Sequence, residues 1–348
     1  MKVESRSVES AKGVVTLYTV TNNSGASVVL TNVGAGIVAI NVPDRDGKIA
    51  DVAMGYEDPL AYFYDGPCSG KIPGRYAGRI AKGHLCIDGK DYQLAINNGP
   101  NALHGGPEGF QNQIWKGKPL EDGVEFSYMS VNGEEHYPGN MSVKALYTWS
   151  EDNTLTLRLY ATTDAKTVIN LTNHVYFNLG GHDSGTSLDH LLKLNARHYV
   201  PTDETLVPYG HIDAVEGTPM DFTYEHPIRT FATEDFPALK YGKGYDNSWV
   251  IEGWERNKIS LAAELTDPVS GRKLTVSTDQ PIVHVYNGNW ISGSPAGKGG
   301  YEYHDYDTVA IECQDYPDAP NHPDFPSVLL LPGEFYARTI VFNFSTVK

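Results

Sequence analysis

Alternation of apolar and polar residues with a period of two dominates this chain, and helical spacing is rare. Ser142–Trp149 and Thr154–Tyr160 both alternate, and a short polar loop separates them, which predicts an antiparallel hairpin. Stretches with helical spacing are few and short, such as Asp58–Tyr64. The pattern therefore predicts an all-β fold of packed antiparallel sheets with few short helices.

Two-residue turn signals support this prediction. Asp-Gly or Asn-Gly pairs, which favour tight hairpins, occur at 46–47, 65–66, 88–89, 98–99, 122–123, 132–133 and 287–288. Around the pair at 88–89, the segments Leu85–Ile87 and Tyr92–Leu94 read as the two strands of a hairpin. No Ser/Gly/Pro-rich linker or charge block divides the 348 residues, so we expect one domain spanning 1–348, although the length alone favours two.

The segment Val168–Leu179 could carry chemistry. Its alternation predicts a strand with His174 and Tyr176 on a polar face and apolar residues on the other. A solvated strand face with an incidental histidine is the competing interpretation of this segment. Taken alone, the segment does not decide between the two.

Two further segments show the same division into a polar and an apolar face. In Thr308–Gln314, period-two spacing places Glu312 and Gln314 together, opposite apolar residues. In Gln280–Trp290, His284 and Tyr286 share the polar face, opposite Val283 and Val285. A concave sheet that contained all three strands would gather their polar faces into one cleft.

A glycine-flanked histidine and a pair of arginines are weaker candidates. His104 stands directly before two glycines, where a ligand can approach closely. Arg75 and Arg79 lie four residues apart. A surface turn and surface salt bridges are the competing interpretations.

Prolines at 317, 320, 323 and 326 follow Glu312 directly along the chain. Polyproline II has three residues per turn, so these prolines predict a stiff, extended segment with prolines along one edge. A linker or a P-x-x-P ligand is the alternative. Because β-like runs flank the segment on both sides, we interpret it as the rigid rim of a cleft beside an acid.

Charge and composition exclude several classes of function. The net charge of -16 repels polyanions, so we expect no nucleic acid partner. No apolar run is long enough to cross a membrane. Three cysteines without C-x-x-C spacing fit a reducing compartment, and a cytoplasmic location is expected unless a signal peptide was trimmed. The twelve histidines show no H-E-x-x-H spacing, so a zinc hydrolase is not favoured.

Taken together, these segments resemble the aldose 1-epimerase (galactose mutarotase) family along nearly the whole chain. Seven matching segments, together with a closing Pro332-Gly-Glu, occur in the family's order. The segments are Val42–Lys48, Gly74–Ile80, Asn98–Gly106, Tyr137–Val143, Asn170–Leu179, Tyr245–Trp249 and Glu312–Pro326. Each alone is a weak signal, but their shared order is specific.

This resemblance implies a single large β-sandwich of the mutarotase type whose concave face binds a hexose without a metal or other cofactor. It implies that Glu312 is the general base and His174 the general acid. The substrate-binding residues that it implies are Arg79, His104, Asp246, His284 and Tyr176. The expected partner is a small aldose, and the expected assembly is a monomer or a weak homodimer.

Two positions depart from the family's pattern. The arginine motif usually reads Ala-Asn-Arg, but Gly78 stands at the asparagine position, which removes that side-chain contact. His284 stands where many members carry glutamine. A histidine can still donate a hydrogen bond, but its geometry and charge differ, so sugar preference is less determined than the reaction type.

The predicted reaction is interconversion of the α and β anomers of a neutral hexose such as galactose or glucose. We expect an ionised Glu312 and a protonated His174, with Asp246 favouring the imidazolium. A glycoside hydrolase that uses Asp246 as its second carboxylate is one alternative. A sugar-binding protein without catalysis is another, although it would not require an acid-base pair.

Overall fold

The computed structural model describes residues 1–348 and consists mainly of β-strands. In chain order these are β1 Lys2–Ser10, β2 Gly13–Thr21, β3 Ser27–Thr31, β4 Gly36–Pro43, β5 Ile49–Asp51, β6 Arg79–Ile80, β7 His84–Ile87, β8 Lys90–Gln93, β9 Ala102–Leu103, β10 Lys116–Pro119, β11 Gly123–Ser130, β12 Met141–Trp149, β13 Thr154–Thr163, β14 Thr167–Val168, β15 Tyr176–Phe177, β16 Leu191–Leu194, β17 His198–Val200, β18 Asp213–Ala214, β19 His226–Pro227, β20 Asp246–Val250, β21 Ser260–Thr266, β22 Arg272–Thr278, β23 Ile282–Tyr286, β24 Val309–Gln314, β25 Leu329–Leu330 and β26 Tyr336–Thr346.

Helical structure is sparse. The helical elements are the α-helix α1, Pro237–Gly242, and 3-10 turns at Pro59–Phe63, Ala81–Gly83, Phe110–Asn112, Glu134–His136, Ile228–Thr230, Lys298–Gly300 and Ala319–Asn321. The first turn lies inside the predicted helical stretch, where the Asp58 side chain caps it by accepting a hydrogen bond from Leu60 N–H. No helix combines the length and the hydropathy of a membrane span.

Three antiparallel sheets of five, nine and six strands build most of the fold, and three two-stranded sheets complete it. The strand orders are β1-β2-β3-β4-β5, β10-β11-β12-β13-β26-β22-β21-β16-β19 and β15-β24-β23-β20-β17-β18. Apolar faces of all three sheets meet in one core of 58 buried residues, which includes Val28, Leu157 and Ile311. The predicted all-β sandwich architecture is therefore confirmed.

The two predicted hairpins are present. In the β12–β13 hairpin Trp149 pairs with Leu155, and alternate residues of both strands are buried. In the β7–β8 hairpin Ile87 pairs with Lys90 across Asp88 and Gly89. Both turn residues have positive φ, at 52° and 77°, which is the type I′ requirement for a two-residue turn.

Two other turn signals were wrong as hairpin predictions. Asn287-Gly288 opens a long connection, because β23 and β24 pair with each other but are joined by residues 287–308. Asp65-Gly66 lies between no paired strands. The Asp65 carboxylate is instead fully buried in an ion pair with Lys71, so tertiary burial decides its place.

The predicted strand over Val168–Leu179 is wrong as one continuous strand, because only its first residue, at the end of β14, and β15 belong to strands. Residues 169–175 are irregular and fully buried, so no solvated polar face exists there. Asn170 and Asn173 explain the conformation, because their side chains replace a β-ladder. The amide of Asn170 donates to the carbonyl oxygens of Ala77 and Asp315, and that of Asn173 donates to the carbonyl of Gly70.

The proline-rich segment is anchored but is not polyproline II. Asp318 has a φ of 52°, and a 3-10 turn follows it at Ala319–Asn321. The Asp318 carboxylate accepts from Ala81 N–H at 3.0 Å, and the Tyr76 hydroxyl donates to Tyr316 O at 2.6 Å. Hydrogen bonds and burial therefore hold this rim in place, rather than the stiffness of proline.

A buried ion pair beneath the cleft gives a stability prediction. Lys71 and Asp65 have fully buried side chains, and the Lys71 ammonium also donates to Asn112 Oδ1 at 3.1 Å. We expect Lys71→Met to lower the free energy of unfolding by about 3 to 5 kcal/mol, because it leaves a buried carboxylate without its partner. Urea denaturation followed by circular dichroism measures this change.

The matched control is Lys258→Met, which removes an ammonium from an exposed pair with Glu255. We expect a loss below about 1 kcal/mol there. Equal effects of the two variants would contradict the prediction.

Candidate active site

A cavity of about 720 Å³ lies on the face of the β24-β23-β20 sheet that is turned away from the core. Its volume is in the range of small-molecule sites. All seven residues that the sequence analysis proposed line it: Arg79, His104, His174, Tyr176, Asp246, His284 and Glu312. The predicted residues therefore do lie together in one cleft, and their roles are proposed below.

Strand register sets the centre of the site. Glu312 on β24 pairs with His284 on β23, and His284 pairs with Ser248 on β20. Directly paired residues of neighbouring strands share a face, so these three side chains stand side by side. The alternate residues of the same strands, such as Val283 and Ile311, belong to the core.

Glu312 and His174 form the most buried ionisable pair in the cavity. Glu312 Oε1 lies 3.4 Å from His174 Nε2, and both side chains are almost fully buried. Neither Glu312 Oε2 nor His174 Nδ1 has a hydrogen-bond partner in the protein. Each residue therefore has the other as its ion-pair partner.

The backbone fixes His174 from behind. Gly70 N–H donates to His174 O and His174 N–H donates to Lys71 O, both at 2.9 Å. The rings of Tyr176 and His104 pack against its ring, with centroids 4.8 and 5.3 Å away. The imidazole is thus held in one position.

The protonation states expected from sequence were wrong. Burial, reinforced by the nearby His284, lowers the pKa of His174 to about 3. Burial and the charge of Asp246 raise the pKa of Glu312 well above its usual range, although Arg79 opposes this. Low polarity thus favours a neutral imidazole beside a carboxylic acid. This state holds the same number of protons as the expected ion pair.

The pKa of Asp246 is shifted in the opposite direction to that of Glu312. Burial alone raises its pKa, but Arg79 and the hydrogen bond from His284 outweigh burial and hold the pKa well below its usual range. Its carboxylate lies 3.5 Å from Arg79 Nη2 and 2.9 Å from His284 Nε2. The other ring nitrogen of His284 is hydrogen-bonded to Ser248 Oγ at 2.9 Å. Asp246 is therefore the ionised acceptor of the site.

His104 occupies a strained turn beside the cavity, with a φ of 54°. Its Nδ1 accepts from Gly78 N–H at 3.2 Å, and burial lowers its pKa well below the usual range. The ring is therefore neutral with its proton on Nε2. Gly105 is required by backbone packing rather than by ligand access, because a Cβ there would lie 2.0 Å from Gly74 O.

The two arginines of the sequence motif separate. Arg79 lines the cavity, and its Nε donates to Asn98 Oδ1 at 2.9 Å. Arg75 is fully buried elsewhere and donates to Ser130 Oγ and to the carbonyl oxygen of Gly139. Arg75 is thus structural.

Asn98, Tyr286, Gln314 and Trp290 also line the cavity, although the sequence analysis named none of them as a site residue. The alternation that placed Tyr286 beside His284 and Gln314 beside Glu312 was a usable signal for two of them. Trp290 lies in the connection 287–308, where no periodic pattern exists. Tyr176 lines the cavity with its ring, while its hydroxyl is already occupied because it donates to Pro67 O at 2.9 Å.

Comparison with known proteins gives the family. A family model described as Aldose 1-epimerase matches residues 16–343. The chain belongs to the aldose 1-epimerase family. Galactose mutarotase of Bos taurus is 40% identical over 312 residues, which cover 90% of this chain and 89% of that protein. Aldose 1-epimerase of Escherichia coli K12 is 34% identical over 331 residues, 94% of each chain.

Solved structures agree with this family assignment. The GalM/aldose epimerase homologue from C. elegans superposes with a TM-score of 0.88 at 30% identity, covering 99% of this chain and 100% of that one. Galactose 1-epimerase from Lactobacillus acidophilus NCFM gives a TM-score of 0.86 at 27% identity over the full length of both chains. This aldose 1-epimerase family member thus shares the fold of its relatives from end to end.

The neutral state of His174 is directly testable in the ligand-free protein. Because its pKa is lowered to about 3, we expect its ring to stay neutral from about pH 8 down to about pH 5. Nitrogen-15 NMR shifts of the imidazole report its protonation, and His174→Ala assigns the signal. Imidazolium shifts near neutral pH would overturn this expectation.

Proposed function

We propose that the protein interconverts the α and β anomers of a neutral hexose such as galactose or glucose by acid-base opening and closure of the sugar ring. The observation that carries this proposal is the buried Glu312–His174 pair, 3.4 Å apart, beside the ionised Asp246. The names of the relatives, galactose mutarotase and aldose 1-epimerase, support the same reaction.

The reaction moves one proton off the sugar and one onto it. The C1 hydroxyl loses its proton, and its electrons form the C1=O double bond of the open aldehyde. The bond between C1 and the ring oxygen breaks, and its electron pair takes a proton on the ring oxygen. Rotation about the C1–C2 bond follows, and the reverse steps then close the ring to the other anomer. Atoms and electrons balance without an oxidant or reductant.

Glu312 and His174 together supply both proton transfers. Transfer of the carboxyl proton of Glu312 to His174 Nε2 gives a carboxylate and an imidazolium, the base and the acid that ring opening requires. This transfer needs no proton from solvent, because the pair holds its proton throughout. Sugar hydroxyls that donate to the carboxylate would favour this charged state, and the two residues exchange roles on closure.

The surrounding residues suit the binding of hydroxyl groups. The ionised Asp246 can accept from sugar hydroxyls, and Arg79 and His104 can donate to them. His284 hydrogen-bonds Asp246 and so orients its carboxylate. A glycoside hydrolase would need Asp246 as a second working carboxylate, whereas Arg79 and His284 both engage it here.

Replacing Glu312 by Gln tests the base. We expect Glu312→Gln to lower kcat for mutarotation of galactose by about 10² to 10⁴, because an amide cannot take the proton. Sugar affinity should be largely kept, since the shape of the cavity is unchanged. Polarimetry of freshly dissolved α-galactose measures turnover, and calorimetry measures binding.

The matched control is Glu252→Gln, which changes an exposed glutamate outside the cavity and should leave turnover unchanged. Near-normal mutarotation by Glu312→Gln would defeat the assignment. Release of sugar from an aryl galactoside by the unmodified protein would instead favour hydrolysis.

Removing His174 tests the acid. We expect His174→Ala to lower kcat by about 10² to 10⁴ and to remove the alkaline limb of the pH profile. In the unmodified protein, the rate falls at alkaline pH because the pair loses the single proton that it holds. Without His174, only the protonation of Glu312 still changes the rate, and it lowers the rate on the acid side. An alkaline limb that persists with low turnover would assign the acid to another residue.

A further inference from the structure

One part of the cavity wall carries a glycine where a side chain would fit, and we call the space beside it the Gly78 notch. It is bounded by Gly78, Gln314 and Pro317, all of which line the cavity. A Cβ on Gly78 would lie 3.5 Å from Pro317 Cβ and 3.7 Å from Gln314 Nε2. A side chain at position 78 would therefore occupy the notch, and glycine leaves that space to a ligand.

Gln314 brings an unpaired polar group to the notch. Its side chain is almost fully buried, with 2% of the residue exposed, and its amide oxygen has no hydrogen-bond partner in the protein. The amide nitrogen faces the notch, 3.7 Å from a Cβ placed on Gly78, so it is the polar atom that a ligand in the notch can reach. A primary amide can accept through its oxygen and donate through its nitrogen, which suits another amide.

The position of the notch relative to the reaction indicates which sugar carbon it serves. Gln314 follows Glu312 by two residues on the same strand, so it lies on the same face, about 6.6 to 6.8 Å along β24. Glu312 acts on the hydroxyl of C1. A substituent on the adjacent carbon, C2, that extends by an amide can reach from the catalytic carboxylate to Gln314.

We propose that the cavity accepts aldoses that carry an acetamido group at C2, and that Gly78 and Gln314 form the subsite for that group. The acetamido carbonyl oxygen would accept from Gln314 Nε2, and its methyl group would contact Pro317 in the space that Gly78 leaves. The group is neutral, which suits a site that already holds Glu312 and Asp246. A phosphate in the same place would be repelled by the ionised Asp246.

This inference rests on the proposed function and deepens it. The C2 substituent takes no part in ring opening, because the bond that breaks joins C1 and the ring oxygen. The proton transfers by Glu312 and His174 therefore stay the same for N-acetylhexosamines. What changes is the fit of one substituent.

The test compares N-acetylgalactosamine with galactose, and N-acetylglucosamine with glucose, by NMR measurement of anomer exchange. We expect the unmodified protein to accelerate both N-acetyl sugars with kcat/KM within about tenfold of the parent hexose. In Gly78→Asn, the ratio of kcat/KM for the N-acetyl sugar to that for the parent should fall about tenfold or more. Asparagine is the natural test residue, since it tolerates the φ of +80° at this position.

Gly89→Asn is the matched control. Gly89 has nearly the same φ, +77°, but lies in the β7–β8 turn, where a Cβ would meet nothing within 4 Å. The ratio should be unchanged in this variant. Gln314→Met is a second test, because methionine keeps the length of the side chain but cannot bind an amide, and it should lower the same ratio.

The outcomes separate the two proposals. Acceleration of galactose without acceleration of either N-acetyl sugar would overturn the subsite and leave the proposed function standing. Acceleration of none of the four sugars would overturn the proposed function itself. An N-acetyl ratio that is unchanged in both Gly78→Asn and Gln314→Met would show that the notch does not bind the substituent.

Discussion

Antiparallel pairing of β24, β23 and β20 is the constraint on which the rest of the site depends. Pairing sets Glu312 beside His284 and His284 beside Ser248, and it turns the alternate residues of these strands into the core. A shift of one residue in any of these registers would exchange the two faces. The apolar packing that stabilises the fold therefore also fixes which side chains face the cavity.

Burial then determines the electrostatics. The same low-polarity surroundings raise the pKa of Glu312 and lower that of His174, because each loses hydration of its charged form. The pKa of Asp246 is lowered in spite of its burial, because Arg79 and His284 stabilise its negative charge. One cavity thus holds two carboxyl groups with opposite pKa shifts, a condition typical of sites that carry out acid-base chemistry.

Segments without regular secondary structure also bring side chains to the site. The segment 169–175 brings His174 to the cavity, and the amides of Asn170 and Asn173 satisfy backbone groups that have no ladder. Beneath it, Lys71 is held by Asp65, and the backbone of Gly70 and Lys71 hydrogen-bonds His174. Buried polar groups need partners, and here these partners position a proposed catalytic residue.

The sequence by itself determined the class of fold and the two predicted hairpins, because alternation and turn chemistry are local, and the family resemblance supplied seven of the residues that line the cavity. Its order of motifs also indicated the family. Only the tertiary structure decided that Val168–Leu179 is not a continuous strand, that the prolines after Glu312 do not form an extended helix, and that His174 is neutral. These properties depend on burial and on hydrogen bonds between residues far apart in the chain, such as Asn170 with Asp315, which a local pattern does not contain.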